Sequence, residues 1–328
     1  MRPARWGILG AGGIAATVGA DIAASPGSVV AAVASRDLPR ALRLADGLGA
    51  ARAYGSYDEL VADPAVDVVY VATTHAQHHA AALTALRAGK PVLVEKPLAL
   101  NARQGREIAD EAAGRDLLCL EGMWTRLSPA VRRILQIVAS GEIGEVRAVR
   151  IDLSHAFEYH PRARLFDPEV GGGALLDLGV YPAALAWQLL GRPDAVTARA
   201  TLAPTGVDAA DSMLWTYGDA RIAQLTCSAV SEAGSTATVV GTEGWIEAAG
   251  PIFRTEEITV ATAAGGRTER HPLPPGNGYG LEVAEVESCL LAGATDSVDM
   301  PLAASLGVLE VLDEARRQTG VRYPGEED

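Results

Sequence analysis

Trp6-Gly7-Ile8-Leu9-Gly10-Ala11-Gly12-Gly13-Ile14-Ala15 is an apolar run that breaks into closely spaced glycines within ten residues. Gly10, Gly12 and Ala15 keep the Gly-x-Gly-x-x-Ala spacing of a dinucleotide turn. Gly10 permits the tight bend, Gly12 lets backbone approach a pyrophosphate, and Ala15 lets the next helix pack closely on a sheet. A helix starting near Ile14 would aim free N–H groups and the positive end of its dipole at that pyrophosphate. Glycines also mark ordinary turns, so the triplet takes its meaning from standing between a strand-like and a helix-like segment.

Working outward, residues 29–35, 67–73, 91–95 and 117–120 join residues 5–10 as strand candidates. They are rich in Val, Ile and Leu and nearly continuous in apolar character, as expected of parallel strands covered on both faces. Helix candidates at 14–24, 39–47, 77–88 and 102–113 alternate with them, and Asn101 is placed to cap the last. The alternation predicts an α/β fold with a doubly wound parallel sheet. Beyond about Glu121 the rhythm changes. A helix at 129–139, a long strand at 145–155 and a helical stretch from about 174 to 190 precede short runs at 196–202, 212–217, 221–230, 236–241 and 245–247. Turn residues between these runs suggest an antiparallel meander. Helices at 281–292 and 302–319 close the chain. The expected organisation is a Rossmann domain over 1–122 and an α+β domain over 123–328 with an open, mainly antiparallel sheet.

The 328 residues carry a net charge of −13, from 28 basic and 41 acidic side chains, which argues against a nucleic-acid footprint. No apolar stretch reads as long enough to span a bilayer, and residues 1–5 run straight into a strand, without the pattern of a signal peptide. Cys119, Cys227 and Cys289 are odd in number and lack metal-ligand spacing. A cytoplasmic, reduced, metal-free protein is expected, with a small molecule as its partner.

The end of the second strand decides which dinucleotide fits. An acidic residue there would hold the ribose 2′-OH of NAD. Ser35-Arg36 stands there instead, with Arg40 one helical turn on. A guanidinium pairs with a 2′-phosphate through charge-assisted bonds, so NADP is expected over NAD. Asp37 complicates the reading, since a one-residue slip would put it in the ribose position.

Val92-Leu-Val-Glu-Lys-Pro-Leu98 ends the fourth strand candidate, where open α/β sheets place ligands. The proline keeps the residue before it extended, which aims Lys96 rather than letting it swing. Further on, Gly171-Gly-Gly-Ala-Leu-Leu-Asp-Leu-Gly-Val-Tyr181 reads as a glycine loop entering a helix. Asp177 and Tyr181 stand at i and i+4 on one face. A tyrosine beside an ammonium is a credible acid/base, because positive charge favours phenolate. The plainer alternative makes Tyr181 a core aromatic and Asp177 a surface acid.

Taken in order, Gly10–Ala15, Glu95-Lys96-Pro97 and Asp177-Leu-Gly-Val-Tyr181 resemble the glucose–fructose oxidoreductase / inositol dehydrogenase / rhizopine catabolism (Gfo/Idh/MocA) superfamily. Thr73-Thr-His-Ala-Gln-His78, Glu121-Gly-Met-Trp-Thr-Arg126 and the tyrosine at 181 look like the branch containing dimeric dihydrodiol dehydrogenase and NADP-dependent D-xylose dehydrogenase. The resemblance runs over essentially the whole chain. It implies a Rossmann domain followed by an open-sheet domain that often mediates oligomerisation, a frequently cis peptide before Pro97, and a homodimer or higher homo-oligomer. It carries the lysine to Lys96 and the tyrosine to Tyr181, with Asp177 beside them. Many relatives have histidine where Tyr181 stands, so an Asp–His relay is not implied.

Cofactor contacts are expected from Gly10, Gly12, Gly13 and Ile14 at the turn, and from Ser35, Arg36 and Arg40 at the adenosine end. Thr73, His75, His78, Glu95 and Lys96 complete the expected cofactor contacts, and the resemblance puts His75 near the nicotinamide. Trp124, Arg126, Phe157, Asp177 and Tyr181 are the expected substrate contacts, with Arg164 as a further pocket residue. The expected reaction is hydride transfer between nicotinamide and a carbinol or carbonyl carbon of a sugar, polyol or cyclic diol. The alternatives are a catalytically silent NADP-binding sensor on the same fold and a keto-sugar reductase of secondary metabolism.

Overall fold

The computed structural model describes residues 2–326. Two compact units divide the chain, Met1–Trp124 with Pro274–Leu306, and Thr125–Leu273 with Gly307–Asp328.

In the first unit the elements run β1 (Ala4–Leu9), α1 (Gly13–Ala24), β2 (Ser28–Ala34), α2 (Leu38–Leu48), β3 (Arg52–Tyr54), α3 (Tyr57–Val61), β4 (Val68–Val71), α4 (His75–Arg87), β5 (Val92–Glu95), α5 (Ala102–Ala113) and β6 (Cys119–Gly122). Among the described residues the six strands form one parallel sheet in the order β3-β2-β1-β4-β5-β6. This is the Rossmann order, whose strand direction of travel reverses between β1 and β4. The central strands are dry: every residue of β4 and β5 is buried, as their unbroken apolar runs require. Asn101 caps α5 by accepting from the Gln104 amide at 2.9 Å, as expected. The short β3 and α3 escaped the sequence reading, because three half-exposed residues at a sheet edge carry no periodic signal.

In the second unit α6 (Pro129–Ala139), β7 (Val146–Ser154) and α7 (Val180–Leu190) precede β8 (Ala195–Leu202), β9 (Asp208–Thr216), β10 (Ile222–Ser228), β11 (Thr236–Gly241), β12 (Gly244–Ala249), β13 (Glu257–Thr262) and β14 (Gly265–Arg270). The described residues form an eight-stranded sheet in the order β14-β13-β12-β11-β7-β10-β9-β8. A simple meander is therefore a correction to make: β7, the first of these strands, lies in the middle and pairs parallel with β10 and antiparallel with β11. The strands β13 and β14 went unread, since β14 is mostly polar and exposed at the sheet edge.

The helices α8 (Gly280–Ala292) and α9 (Leu302–Thr319) follow. The segment containing α8 was read with the second domain, but lies in the first unit. There the Asp21 carboxylate of α1 accepts from the backbone N–H of Asn277 and of Gly280, and the hydroxyls of Ser25 and Ser28 donate to Glu287. These anchors join residues some 260 positions apart and have no local signature. The expectation that no stretch could span a bilayer also needs amending. The helical run Pro168–Leu190 is long and apolar enough by length and composition, and 78% of its most apolar window is buried inside the protein, which marks a core helix.

Candidate active site

The nucleotide turn has the geometry its glycines foretold. Gly10 has φ +111°, and a Cβ there would stand 2.4 Å from the carbonyl oxygen of Ala72 on the neighbouring strand. Gly12 precedes α1 in extended conformation (φ −92°) with no side chain capping the helix and no acid in its first turn. A Cβ on Gly12 or Gly13 would meet nothing within 4 Å. The turn therefore presents uncapped N–H groups beside open space, the cradle that a pyrophosphate fits. Ala15 is fully buried, as close helix–sheet packing demands.

At the end of β2, Ser35 is buried and its hydroxyl accepts from the Asp37 amide at 3.2 Å. Asp37 accepts in turn from the Arg40 amide and so caps α2. Its carboxylate is thereby engaged with the start of the helix. The Arg40 guanidinium donates to the carbonyl of Ala11 at 2.9 Å, tying α2 to the glycine turn. Arg36 is exposed, and its guanidinium meets the side-chain oxygen of Gln77 at 2.8 and 3.0 Å.

At the carboxyl end of β5 the Lys96–Pro97 peptide is cis. Glu95 is buried; it accepts from the Tyr70 hydroxyl at 2.6 Å and from the Lys96 amide at 3.1 Å. Glu121 on β6 accepts from the Leu98 amide at 2.9 Å. His78 on α4 is 1% exposed and places Nδ1 2.7 Å from the Pro97 carbonyl and Nε2 3.3 Å from that of Thr73. His75, at the start of α4, is buried edge-on against it. Three elements thus clamp the backbone around the half-buried Lys96. Tyr70 and Glu121 were missed as clamp residues, since a lone tyrosine or acid in an apolar strand gives no signal of its partner.

Behind this clamp, Glu282 on α8 is fully buried, and neither carboxyl oxygen has a hydrogen-bond partner among the described residues. Burial, then the charges of Glu95, Asp21 and Glu121, push its carboxyl well above the usual range. Burial and the charge of Glu95 likewise raise the Tyr70 phenol. Trp124 is 1% exposed and packs against Tyr279 at a centroid distance of 5.3 Å.

In the second unit the helix after the glycine loop opens with a wide π turn at Leu175–Gly179 before α7. Such turns recur at functional sites, because the extra residue re-aims neighbouring side chains. Asp177 lies on this turn, buried, and receives both Nη atoms of Arg164 at 3.1 and 2.9 Å. The carboxylate that the sequence offered to catalysis or substrate therefore orients a guanidinium whose side chain is half exposed. Tyr181 opens α7, buried with its ring 5.5 Å from that of Phe253. Arg126 is buried; Phe157 is exposed with its ring edge against His155.

Residues 4–123 match the oxidoreductase family with an NAD-binding Rossmann fold, and residues 131–247 match the Gfo/Idh/MocA C-terminal domain. The chain belongs to the Gfo/Idh/MocA oxidoreductase family. Human trans-1,2-dihydrobenzene-1,2-diol dehydrogenase is 36% identical over 333 residues, covering 98% of each chain. The zebrafish (Danio rerio) enzyme of the same name is 35% identical over 332 residues, covering 97% of this chain and 98% of its own. Among solved structures, the 3-ketoreductase KijD10 of Actinomadura kijaniata, in complex with NADP and TDP-benzene, superposes with a TM-score of 0.87 at 26% identity. The match covers 97% of this chain and 98% of that one. Aldose-aldose oxidoreductase of Caulobacter crescentus shares the fold at 22% identity and a TM-score of 0.88, with the same coverage. This member of the family is an oxidoreductase with an NAD(P)-binding Rossmann domain.

Proposed function

We propose that the protein transfers hydride between NADP and a carbinol or carbonyl carbon of a sugar, polyol or cyclic diol. The observation that carries this reading is the clamped turn at the end of β5. Glu95, Glu121 and His78 fix the backbone on either side of Lys96, an investment that a solvated surface lysine does not require. Bound at the glycine turn, the nicotinamide cofactor supplies or takes up the hydride. In oxidation Tyr181 accepts the hydroxyl proton as the carbon–hydrogen bond breaks, and in reduction it returns that proton to the new alkoxide. The Lys96 ammonium stabilises negative charge developing on the reacting oxygen. Asp177 holds Arg164, a half-exposed side chain that meets substrate hydroxyls in this reading.

Three things support NADP over NAD. Arg36 is exposed at the end of β2, Asp37 is engaged as a helix cap, and KijD10 was solved with NADP. The named activity of the dihydrodiol relatives supports a vicinal diol, and that of the 3-ketoreductase a ketone carbonyl. Structures of a lysine-to-alanine and a tyrosine-to-phenylalanine variant of KijD10 also match the chain, which suits a lysine and a tyrosine as the residues to test. A homo-oligomer is proposed through the outer face of the second sheet. Leu214 on β9 and Trp245 on β12 lie exposed on that one face, and light scattering would give its order.

The test is a pair of fluorescence titrations with NADPH and NADH, followed by a screen of sugars, polyols, cyclic diols and their ketones. NADPH should bind at least tenfold more tightly, and turnover should appear within these classes. Tight NADPH binding with no turnover on any of them would leave a sensor and refute the enzyme.

A further inference from the structure

The helix that carries Asp177 and Tyr181 begins over a pair of buried aspartates on β9. Asp208 is 1% exposed and Asp211 3%. Asp208 accepts through Oδ2 from the backbone N–H of Leu175, the first residue of the π turn. Its other oxygen underlies the glycine loop: Gly173 has φ +125°, and a Cβ there would stand 2.4 Å from Asp208 Oδ1. The Tyr323 hydroxyl, 3.1 Å from that same point, donates to the carbonyl of Gly172 at 2.6 Å. Asp211 stands opposite Cys227 of β10, whose thiol lies 3.9 Å from Asp211 Oδ2.

Asp208 Oδ1 and Asp211 Oδ1 are both buried without a hydrogen-bond partner among the described residues, and each carboxyl bears on the charge of the other. Ionised carboxylates only accept, and two of them in one dry site repel, so a single proton carried by one of the pair satisfies both unpartnered oxygens. The groups facing the pair settle which. Burial raises both carboxyls, but Asp208 has the amide of Leu175 and the positive field of Arg316 to oppose that rise, whereas Asp211 has only the Cys227 thiol and faces the charge of Asp208. Burial, then that charge, push the Asp211 carboxyl up to about 10. Tyr323 is held neutral by burial first and by Asp208 next.

We infer that Asp211, protonated, and Asp208, ionised, are positioning residues that share one proton to seat the start of the helix carrying Asp177 and Tyr181. The inference rests on the reading of Tyr181 as acid/base. The Asp211 O–H donates to Asp208, and Asp208 gathers the Leu175 N–H, so the π turn starts from one fixed point. Loss of the proton would leave two like charges in a dry site, and the seat would open.

The test compares wild type with Asp211→Asn, whose amide still donates to Asp208, and with Asp211→Val, which keeps the bulk without the donor. Urea unfolding is followed from pH 5 to 9, together with turnover, NADPH affinity and a parallel Tyr181→Phe variant. A carboxyl raised in the folded state stabilises fully below its unfolded range near pH 4, and loses that contribution as pH rises toward about 10. The wild-type folding constant should therefore fall relative to Asp211→Asn by about tenfold per pH unit. Asp211→Asn should keep turnover within threefold, and Asp211→Val should lose at least tenfold with NADPH affinity unchanged. A stability difference independent of pH would remove the shared proton. Full turnover in Asp211→Val would remove the positioning role. Full turnover in Tyr181→Phe would overturn the acid/base reading and the catalytic purpose of the seat, while the stability measurement would still decide the proton.

Discussion

Two alanine substitutions two residues apart should separate folding from cofactor binding in the glycine turn. At Gly10 the backbone sits at φ +111°, and an added Cβ would lie 2.4 Å from the Ala72 oxygen and 2.8 Å from its carbonyl carbon. Backbone cannot swing aside as a side-chain tip can, and the Ala72 amide is itself held by the Leu9 carbonyl at 2.8 Å. Backbone strain of about 1–3 kcal/mol and a similar overpacking cost together place Gly10→Ala at about 3 kcal/mol or more of lost stability. That is a large share of the roughly 5–15 kcal/mol that holds a domain folded. At Gly12 φ is −92°, and a Cβ would meet nothing within 4 Å. Gly12→Ala should therefore change stability by less than about 1 kcal/mol. The same methyl occupies the space where a pyrophosphate must approach backbone, so NADPH affinity should fall at least tenfold, or about 1.4 kcal/mol. Urea unfolding of the apo proteins and fluorescence titration with NADPH give the two quantities separately. If Gly12→Ala binds NADPH as wild type does, the cradle is not where the cofactor sits. If Gly10→Ala is as stable as wild type, the steric argument is wrong.

Other substitutions probe single roles. Arg36→Ala should weaken NADPH binding by about 1.5–3 kcal/mol, the worth of a charge-assisted bond, while NADH affinity moves less than threefold; equal loss for both would place Arg36 away from the 2′-phosphate. Tyr181→Phe keeps the ring that packs on Phe253, so turnover should drop at least a hundredfold with cofactor affinity preserved. Glu282 is raised by burial, so its stabilising contribution is complete below the ordinary glutamate range near pH 4.3 and is lost as pH rises toward its folded value. Glu282→Gln should gain on wild type by about 1.4 kcal/mol per pH unit above pH 5 in urea unfolding, and a constant offset at every pH would mean that Glu282 ionises normally.

The strands of the first sheet and the helices between them, β3 and α3 excepted, were legible because each is a continuous apolar run or a capped periodic one. The residues flanking their carboxyl ends, Ser35-Arg36 and Glu95–Pro97, could be named from the same pattern, and Thr73–His78 from the family resemblance. The second sheet was legible strand by strand from β7 to β12, but neither in order nor out to β13 and β14. Nothing local announces that β7 runs parallel beside β10, because strand pairing is decided by faces that bury each other across some 70 residues.

Local chemistry thus determined which residues turn, cap and carry reactive groups, since turn geometry, helix caps and apolar period act within a few residues. Their engagements were decided only by the folded chain. Asp37 became a cap, Asp177 a partner for Arg164, and Glu121 a support for the turn after Lys96. Asp208 and Asp211, unremarkable as letters, became a buried pair with one proton between them. Burial and long-range pairing set the ionisation of such groups, and both exist only once distant segments have excluded water together.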